Sequence, residues 1–387
     1  MNYRINQKNN DKLSILGFGC MRFAKSKEEV EKQIIHAIEN GVNYFDTAYI
    51  YPNSEATLGS VLAKGYRDRV KISTKMPPYL IKKYEDFDKI FNVQLERLQT
   101  DHIDYYFMHM LTDLNIWNRL VNLGVQKWIE EKKQKGQIVN AGFSYHGGKD
   151  EFKKIVDAYD WDFCMIQYNY LDENNQAGKS GLQYASAKGL PVMIMEPLRG
   201  GKLVTNLPKE VYNAFEKAHV KRSPAEWALR WIWNHPEVTL VLSGMNSMEM
   251  VDENIRVASQ AEANSFAEED FKLFEKVRNI LIEKIKIPCT GCSYCMPCPK
   301  GVDIPTCFSC YNDREIEGKM KARVNYISHT SLKTQTNNAS LCSKCGKCET
   351  HCPQNIKIRD ELSKVSKAME GFIYKPLRVI VKLFMKV

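Results

Sequence analysis

Eight cysteines near the C-terminus restrict the fold of this chain more than any other feature. They are spaced Cys289-x-x-Cys292-x-x-Cys295-x-x-Cys298-Pro299 and Cys342-x-x-Cys345-x-x-Cys348-x-x-x-Cys352-Pro353. A [4Fe–4S] cube needs four thiolates at its corners. Three come from a tight CxxCxxC loop, and the fourth, a Cys followed by Pro, arrives from the other motif to ligate the opposite cube. On that rule Cys289, Cys292, Cys295 and Cys352 hold one cluster, and Cys342, Cys345, Cys348 and Cys298 hold the other. The first motif is one residue short between its third and fourth Cys, which matters little if Cys298 is exported. Zinc could use two adjoining CxxC pairs, but a CxxCxxC triplet followed by Cys-Pro, occurring twice, is far more specific to cubes. Disulfides are disfavoured because no secretory segment places the chain in an oxidising compartment.

The 387 residues, 44% of them hydrophobic, are too many for one ordinary domain. The expected organisation is a first domain over 1–285, an iron–sulfur domain over 286–360 and a basic amphipathic tail over 361–387, with Lys286–Pro288 as a short hinge. The most apolar run, Val379–Val387, is interrupted by Lys382 and Lys386. No segment is therefore expected to span a membrane, and the cytoplasm is the expected location. The tail could touch an anionic membrane surface or dock onto the protein itself. Residues 286–387 carry 17 Lys+Arg against 8 Asp+Glu, so the whole formal excess of +9 lies there. Two clusters, each about −2 with its thiolates, offset part of it. The remainder suits an acidic electron carrier such as a ferredoxin or flavodoxin. Nucleic acid is not expected, since no recognition motif accompanies the charge.

Along the first 285 residues short β-rich runs alternate with helical periodicity. The strands read are Ile15–Met21, Tyr44–Ala48, Val70–Met76, Ile103–Met110, Val139–Tyr145, Phe163–Tyr170, Pro191–Pro197 and Thr239–Gly244, with helical stretches between them such as Glu85–Leu98 and Trp117–Gln134. Eight repeats over roughly 250 residues predict an α/β fold, a (β/α)₈ TIM barrel followed by a small helical and loop ferredoxin-like domain. Such a barrel gathers its chemistry at the C-terminal strand ends. Asp46, Lys75, His109, Ser144, Gln167, Asn169, Glu196 and Gly244 all fall there.

These residues resemble the aldo-keto reductases. "GVNYFDTAYIYPNSEATLG" is similar to the family's second strand and loop, with Asp46 and Tyr51; "VKISTKMP" supplies the family's lysine at Lys75 and "IDYYFMHM" its histidine at His109. With the cysteine motifs, the chain resembles the branch bearing a C-terminal ferredoxin-type domain. The chemistry suits the residue types. Reducing a carbonyl needs a proton on the developing alkoxide, and Tyr51 can give it if a neighbouring cation, Lys75, lowers its pKa from about 10. Asp46 would keep Lys75 charged, and a neutral His109 would orient the substrate oxygen.

The resemblance also implies a nicotinamide site, from which the sequence departs in part. Ser144 and Gln167 are kept, Tyr145 stands where the family has Asn, and Met195 where it has a stacking aromatic. At the adenosine end Glu253 and Asn254 are kept, while Gly244 and Met250 replace bases that would bind a 2′-phosphate. NADH, NADPH or no nucleotide therefore all stay open. A flavin, which joins one- and two-electron carriers, could bind near Gly244 or belong to a partner flavoprotein. The expected function is an oxidoreductase coupling a small carbonyl or alcohol substrate to one-electron transfer through two clusters. The alternatives are an NAD(P)H-dependent carbonyl reductase with a structural cluster domain, or a docking subunit without catalysis. Cys307 and Cys310 are expected to pack as small apolar residues rather than to bind a third metal.

Overall fold

The computed structural model describes residues 1–332 and 336–384. Its contacts divide the chain into two compact units, Met1–Leu198 with Ala225–Ala267, and Arg199–Pro224 with Glu268–Val387. In the first, a hairpin of β1 (Tyr3–Ile5) and β2 (Lys12–Ser14) precedes eight parallel strands: β3 (Leu16–Gly19), β4 (Tyr44–Asp46), β5 (Lys71–Met76), β6 (Ile103–Leu111), β7 (Ile138–Tyr145), β8 (Phe163–Gln167), β9 (Val192–Met195) and β10 (Val238–Ser243). These close into a barrel, with β10 pairing β3. The expected (β/α)₈ architecture is present. The hairpin was not foreseen, because three-residue strands mixing charged and apolar residues leave no periodic trace.

Side chains alternate between the two faces of each strand, and that period fixes the site. The barrel interior holds Leu13, Tyr44, Tyr105, Phe107, Phe163, Met165, Met193, Leu240 and Leu242. Two residues further along the same inward rows come Asp46, His109, Gln167, Met195 and Gly244, so the apolar layers end where polar groups begin. Gly17 keeps room for the bulk: a Cβ there would lie 2.8 Å from Leu242 Cδ2.

Local chemistry shifts several expected boundaries. The helix expected over Trp117–Gln134 is two, Leu114–Asn122 and Val125–Gln134, broken at Gly124 with φ 91°. β8 stops at Gln167 rather than Tyr170, because Asn169 Oδ1 accepts the N–H groups of Leu171 and Asp172 and turns the chain. Lys286–Pro288 is no hinge. Asn312 Oδ1 accepts from the N–H groups of Lys286 and Ile287, Asn312 Nδ2 donates to Ile287 O at 2.7 Å, and Ile287 is fully buried.

The second unit contains the helices Lys209–Glu216, Glu268–Lys284, Ile304–Ile316, Lys319–Thr330, Ile358–Met369 and Tyr374–Phe384. Its core includes Val302, Ile304, Phe308, Tyr326, Ile356, Ile358 and Val365. Within it the chain repeats one backbone design. Gly291 and Ser293 flank Cys292 with φ 71° and 66°, and Lys344 and Gly346 flank Cys345 with φ 58° and 79°. Three residues past each Cys-Pro cysteine, Gly301 and Asn355 are again left-handed, and each donates its N–H to that cysteine's carbonyl. Val302 and Ile304 in one copy match the buried Ile356 and Ile358 in the other. Cys307 and Cys310 are buried in this core. In the tail, Val381 is buried and Tyr374 Oη bonds Ser331 Oγ at 2.6 Å, while Phe372, Val379 and Ile380 are exposed. No helix among the described residues is long and apolar enough to cross a membrane.

The helix Ser54–Leu62, which follows Tyr51, packs on the helix Glu85–Leu98 through Gly59, where a Cβ would lie 2.4 Å from Arg97 O. Only backbone could yield there. Gly59→Ala is expected to cost about 1–3 kcal/mol, the scale of overpacking, read as a lower unfolding midpoint by circular dichroism; an unchanged midpoint would contradict this packing.

Candidate functional site

At the C-terminal end of the barrel, Lys75 Nζ lies 2.6 and 2.7 Å from the two carboxylate oxygens of Asp46 and donates to Thr47 O at 2.7 Å. Ser73 Oγ donates to Asp46 Oδ1 at 2.7 Å. The pair is enclosed, with the Lys75 side chain 2% and the Asp46 side chain 7% exposed. Burial lowers the ammonium's pKa and raises the carboxyl's, and their mutual attraction opposes both drifts. Lys75 Nζ is 5.2 Å from the Tyr51 ring centroid, and the His109 ring stands edge-on to that ring at 6.1 Å. Asp46, Tyr51, Lys75 and His109 are thus brought together.

Two further features aim these groups. β6 bulges after Met108, and Met110, at φ 54°, donates its N–H to Ser144 Oγ at 2.9 Å, which turns the end of the strand beside His109. Glu55, buried, accepts from Thr74 Oγ1 at 2.6 Å, Gln94 Nε2 at 2.9 Å and Arg97 Nη1 at 3.1 Å. It ties the helix after Tyr51 to the strand that carries Lys75. Glu55 escaped the sequence reading, because an acidic residue in the first turn of a helix looks like ordinary dipole complementation.

Gln167 and Ser144 are both buried at the strand ends, and Gln167 is engaged at both ends of its amide: Nε2 donates to Asp172 Oδ2 at 2.9 Å and Oε1 accepts from Gln176 Nε2. Gln176 also bonds His146. Asn169 helps shape the turn, giving Nδ2 to Glu196 O at 3.2 Å. At the far side, Asn254 is buried and donates to Ser243 Oγ at 3.0 Å, Glu253 is half-buried on the same helix (Met248–Gln260), and Gly244 is exposed, where a Cβ would lie 3.9 Å from Gly19 O.

The sequence reading passed over His146 as well. It follows Ser144 by two positions, one residue past the end of β7, and continues that strand's inward row, which was the available signal. It is 3% exposed, and burial, against the raising effect of its Gln176 bond, pushes its pKa down to about 4. His109 is held well below the usual range by burial, then by Lys75 and by His146. Both imidazoles are neutral at pH 7.

In the second unit, Cys289, Cys292, Cys295 and Cys352 line one pocket, floored by Ile304, Phe308 and Ile358. Cys352 comes from the second motif, as the crossing rule requires. Cys348 has Cys342 and Cys298 as its sulfur neighbours, and Cys345 is exposed. No disulfide occurs among the described residues. Nor do three His, Cys, Asp or Glu side chains among them close around a single ion. Four sulfurs around a cavity suit a cube better than zinc. Thr290, 3% exposed, lines the same cavity, and its hydroxyl finds no partner among the described residues. That suits a donor facing cluster sulfur.

A histidine whose folded pKa lies below its unfolded value of about 6.5 binds fewer protons folded than unfolded. Its contribution is complete above about pH 6.5 and is lost as pH falls towards 4. For His146 the full contribution is on the order of 3 kcal/mol. Stability measured by urea unfolding should drop over this interval, and His146→Gln should flatten the drop relative to wild type. Identical slopes would mean that His146 titrates normally.

Residues 15–279 match the model of the Aldo/keto reductase family, and residues 288–357 that of a 4Fe-4S dicluster domain. L-galactose dehydrogenase of Arabidopsis thaliana is 25% identical over 301 residues, covering 70% of this chain and 93% of its own. NADH-specific methylglyoxal reductase of Escherichia coli (strain K12) is 23% identical over 266 residues, covering 57% and 80%. Among solved structures, aldo-keto reductase AKR11C1 from Bacillus halodurans in its holo form superposes with a TM-score of 0.61 at 25% identity, over 72% of this chain and 96% of that one. Sequence, barrel and site converge on one conclusion: the chain belongs to the aldo/keto reductase family and is an oxidoreductase whose barrel is followed in sequence by a 4Fe-4S dicluster domain.

Proposed function

We propose that the barrel interconverts a small carbonyl compound and its alcohol, and that the two clusters exchange the electrons one at a time with an external carrier. The observation that carries the first half is the buried Lys75–Asp46 pair set against Tyr51, with the His109 ring edge-on to it. In the reducing direction Tyr51 Oη gives its proton to the developing alkoxide. The Lys75 charge, kept by Asp46, favours the tyrosinate left behind. His109, neutral because burial and Lys75 oppose its protonation, donates a hydrogen bond to the substrate oxygen and holds it in line.

Reduction of a carbonyl takes two electrons and two protons: two cubes changing by one electron each carry the electrons, Tyr51 gives the proton on oxygen, and solvent supplies the proton on carbon. Cys289, Cys292, Cys295 and Cys352 would hold one cube, Cys342, Cys345, Cys348 and Cys298 the other, in a reducing compartment such as the cytoplasm. A nicotinamide, when bound, supplies hydride; Ser144, Gln167, Gly244, Glu253 and Asn254 are the positions that would hold it. They fit it only in part, since Gln167 and Asn254 are engaged within the protein and no base stands at Gly244 or Met250. We assign no residue to a flavin. Exposed Lys300, Lys344 and Lys347 around the second set of cysteines suit an acidic carrier of ferredoxin or flavodoxin type. The alternative of an NADH- or NADPH-dependent reductase with a structural cluster domain is favoured by the retained Ser144 and by the naming of the Escherichia coli relative as an NADH-specific methylglyoxal reductase.

Tyr51→Phe should lower turnover of small aldehydes about 10²-fold or more while leaving iron content intact, the usual scale of general acid catalysis. Lys75→Met should act likewise, and full activity in both would reject this site. The anaerobic protein should hold about eight iron and eight sulfide. Cys352→Ser should damage the cluster of Cys289, Cys292 and Cys295, and loss of the other cluster's EPR signal alone would reverse the ligand sets.

A further inference from the structure

The two cysteine sets sit in different electrostatic surroundings. Arg199, four positions past the end of β9 yet part of the second unit, is 2% exposed and donates from Nη2 at 3.1 Å to the carbonyl of Pro288, the residue before Cys289. The turn Arg199-Gly200-Gly201, with φ 52°, 66° and 92°, brings Lys202 round, and its Nζ donates to Ser309 Oγ at 3.0 Å, next to the cavity-lining Phe308. Thr290 adds a buried hydroxyl on the cavity wall that has no partner among the described residues. Arg199 thus grips the residue before Cys289, Lys202 the residue after Phe308, and Thr290 stands on the cavity wall itself. Among the described residues the cations beside the second set face water. Its Cys345 is exposed, Lys344 and Lys347 are exposed and screened by water, and Arg359, which lies against Gly346 of that loop, is itself 46% exposed and is paired with Glu349 at 2.8 Å.

We propose that Arg199, Lys202 and Thr290 tune the cube of Cys289, Cys292, Cys295 and Cys352, raising its reduction potential above that of its neighbour and making it the electron sink of the pair. Reduction takes a cube with its thiolates from about −2 to −3. A cation in a low-dielectric wall stabilises the more negative state more, and a hydroxyl donating to sulfur acts in the same sense. The exposed cube, lower in potential, then passes electrons inward from a carrier. These residues act through the cluster and not on substrate.

The proposal rests on the crossed ligand sets above, and the test separates the two. Redox titrations of the anaerobic holoprotein followed by EPR would compare wild type with Cys352→Ser and Cys345→Ser, which label the signals, and with Lys202→Gln and Thr290→Val. Replacing the buried Arg199 risks the fold, so the test does not depend on it. The signal lost in Cys352→Ser should be the higher of the two in potential. In Lys202→Gln and Thr290→Val it should move down, with the ratio of reduced to oxidised cluster at a fixed potential falling about three- to tenfold; tenfold is about 59 mV for one electron. The other signal should stay in place, with iron content unchanged. The proposal is overturned if that signal stays put in both variants, or if the shift falls on the signal that Cys345→Ser removes. If Cys352→Ser and Cys345→Ser remove the same signal, the ligand sets fail, and the proposal with them.

Discussion

An ammonium and a carboxylate enclosed together in a barrel interior set the terms for the rest of this structure. Taking Lys75 and Asp46 out of water costs several kcal/mol per ion, and their attraction repays it only with good geometry and further hydrogen bonds. The barrel supplies both, through the Ser73 hydroxyl, the Thr47 carbonyl and strands β4 and β5 held in parallel register at Asp46 and Ser73. A well-packed apolar pair would be at least as stable there. The arrangement therefore makes sense as chemistry: a fixed charge below Tyr51 that also keeps His109 neutral.

The second unit solves a different problem by repetition. Each CxxCxxC loop uses left-handed residues on both sides of its middle cysteine, and each Cys-Pro cysteine is followed by a left-handed residue, a buried β-branched residue and a helix. Gly291, Gly301 and Gly346 meet that backbone without strain, whereas Ser293, Lys344 and Asn355 adopt it at some cost. Such strain is tolerated where the surrounding structure fixes it. Pairing the two copies brings Cys352 to the pocket of the first loop and Cys298 beside Cys348 of the second.

Much of this was legible in the sequence because it is local. The alternation of strand and helix placed Asp46, Lys75, His109 and Gln167 at strand ends, and the cysteine spacing, with the rule that the last cysteine of each motif crosses over, put Cys352 with the first loop. What escaped depends on contacts between distant segments. Glu55 looked like a surface residue of a helix start until Thr74, Gln94 and Arg97 closed on it. His146 lay hidden beside Tyr145, which drew notice as a departure from the family pattern. Arg199 and Lys202 looked like part of a barrel loop, yet they pack with the cluster domain through Pro288 and Ser309. The expected hinge at Lys286–Pro288 failed for the same reason, since nothing in its own three residues announces the grip of Asn312.

The central claim is that electrons held on the clusters reach a carbonyl in the barrel. Its most direct test begins with anaerobic protein whose clusters are reduced by a low-potential dye and freed of excess reductant. Small aldehydes and ketones, methylglyoxal among them, are then added without nicotinamide, and the visible absorbance of the clusters is followed. The account predicts that a substrate restores the oxidised spectrum, with one alcohol formed for each pair of clusters reoxidised. Clusters that stay reduced with every carbonyl, in a protein that turns over fully with NADH or NADPH after its clusters are removed, would contradict it.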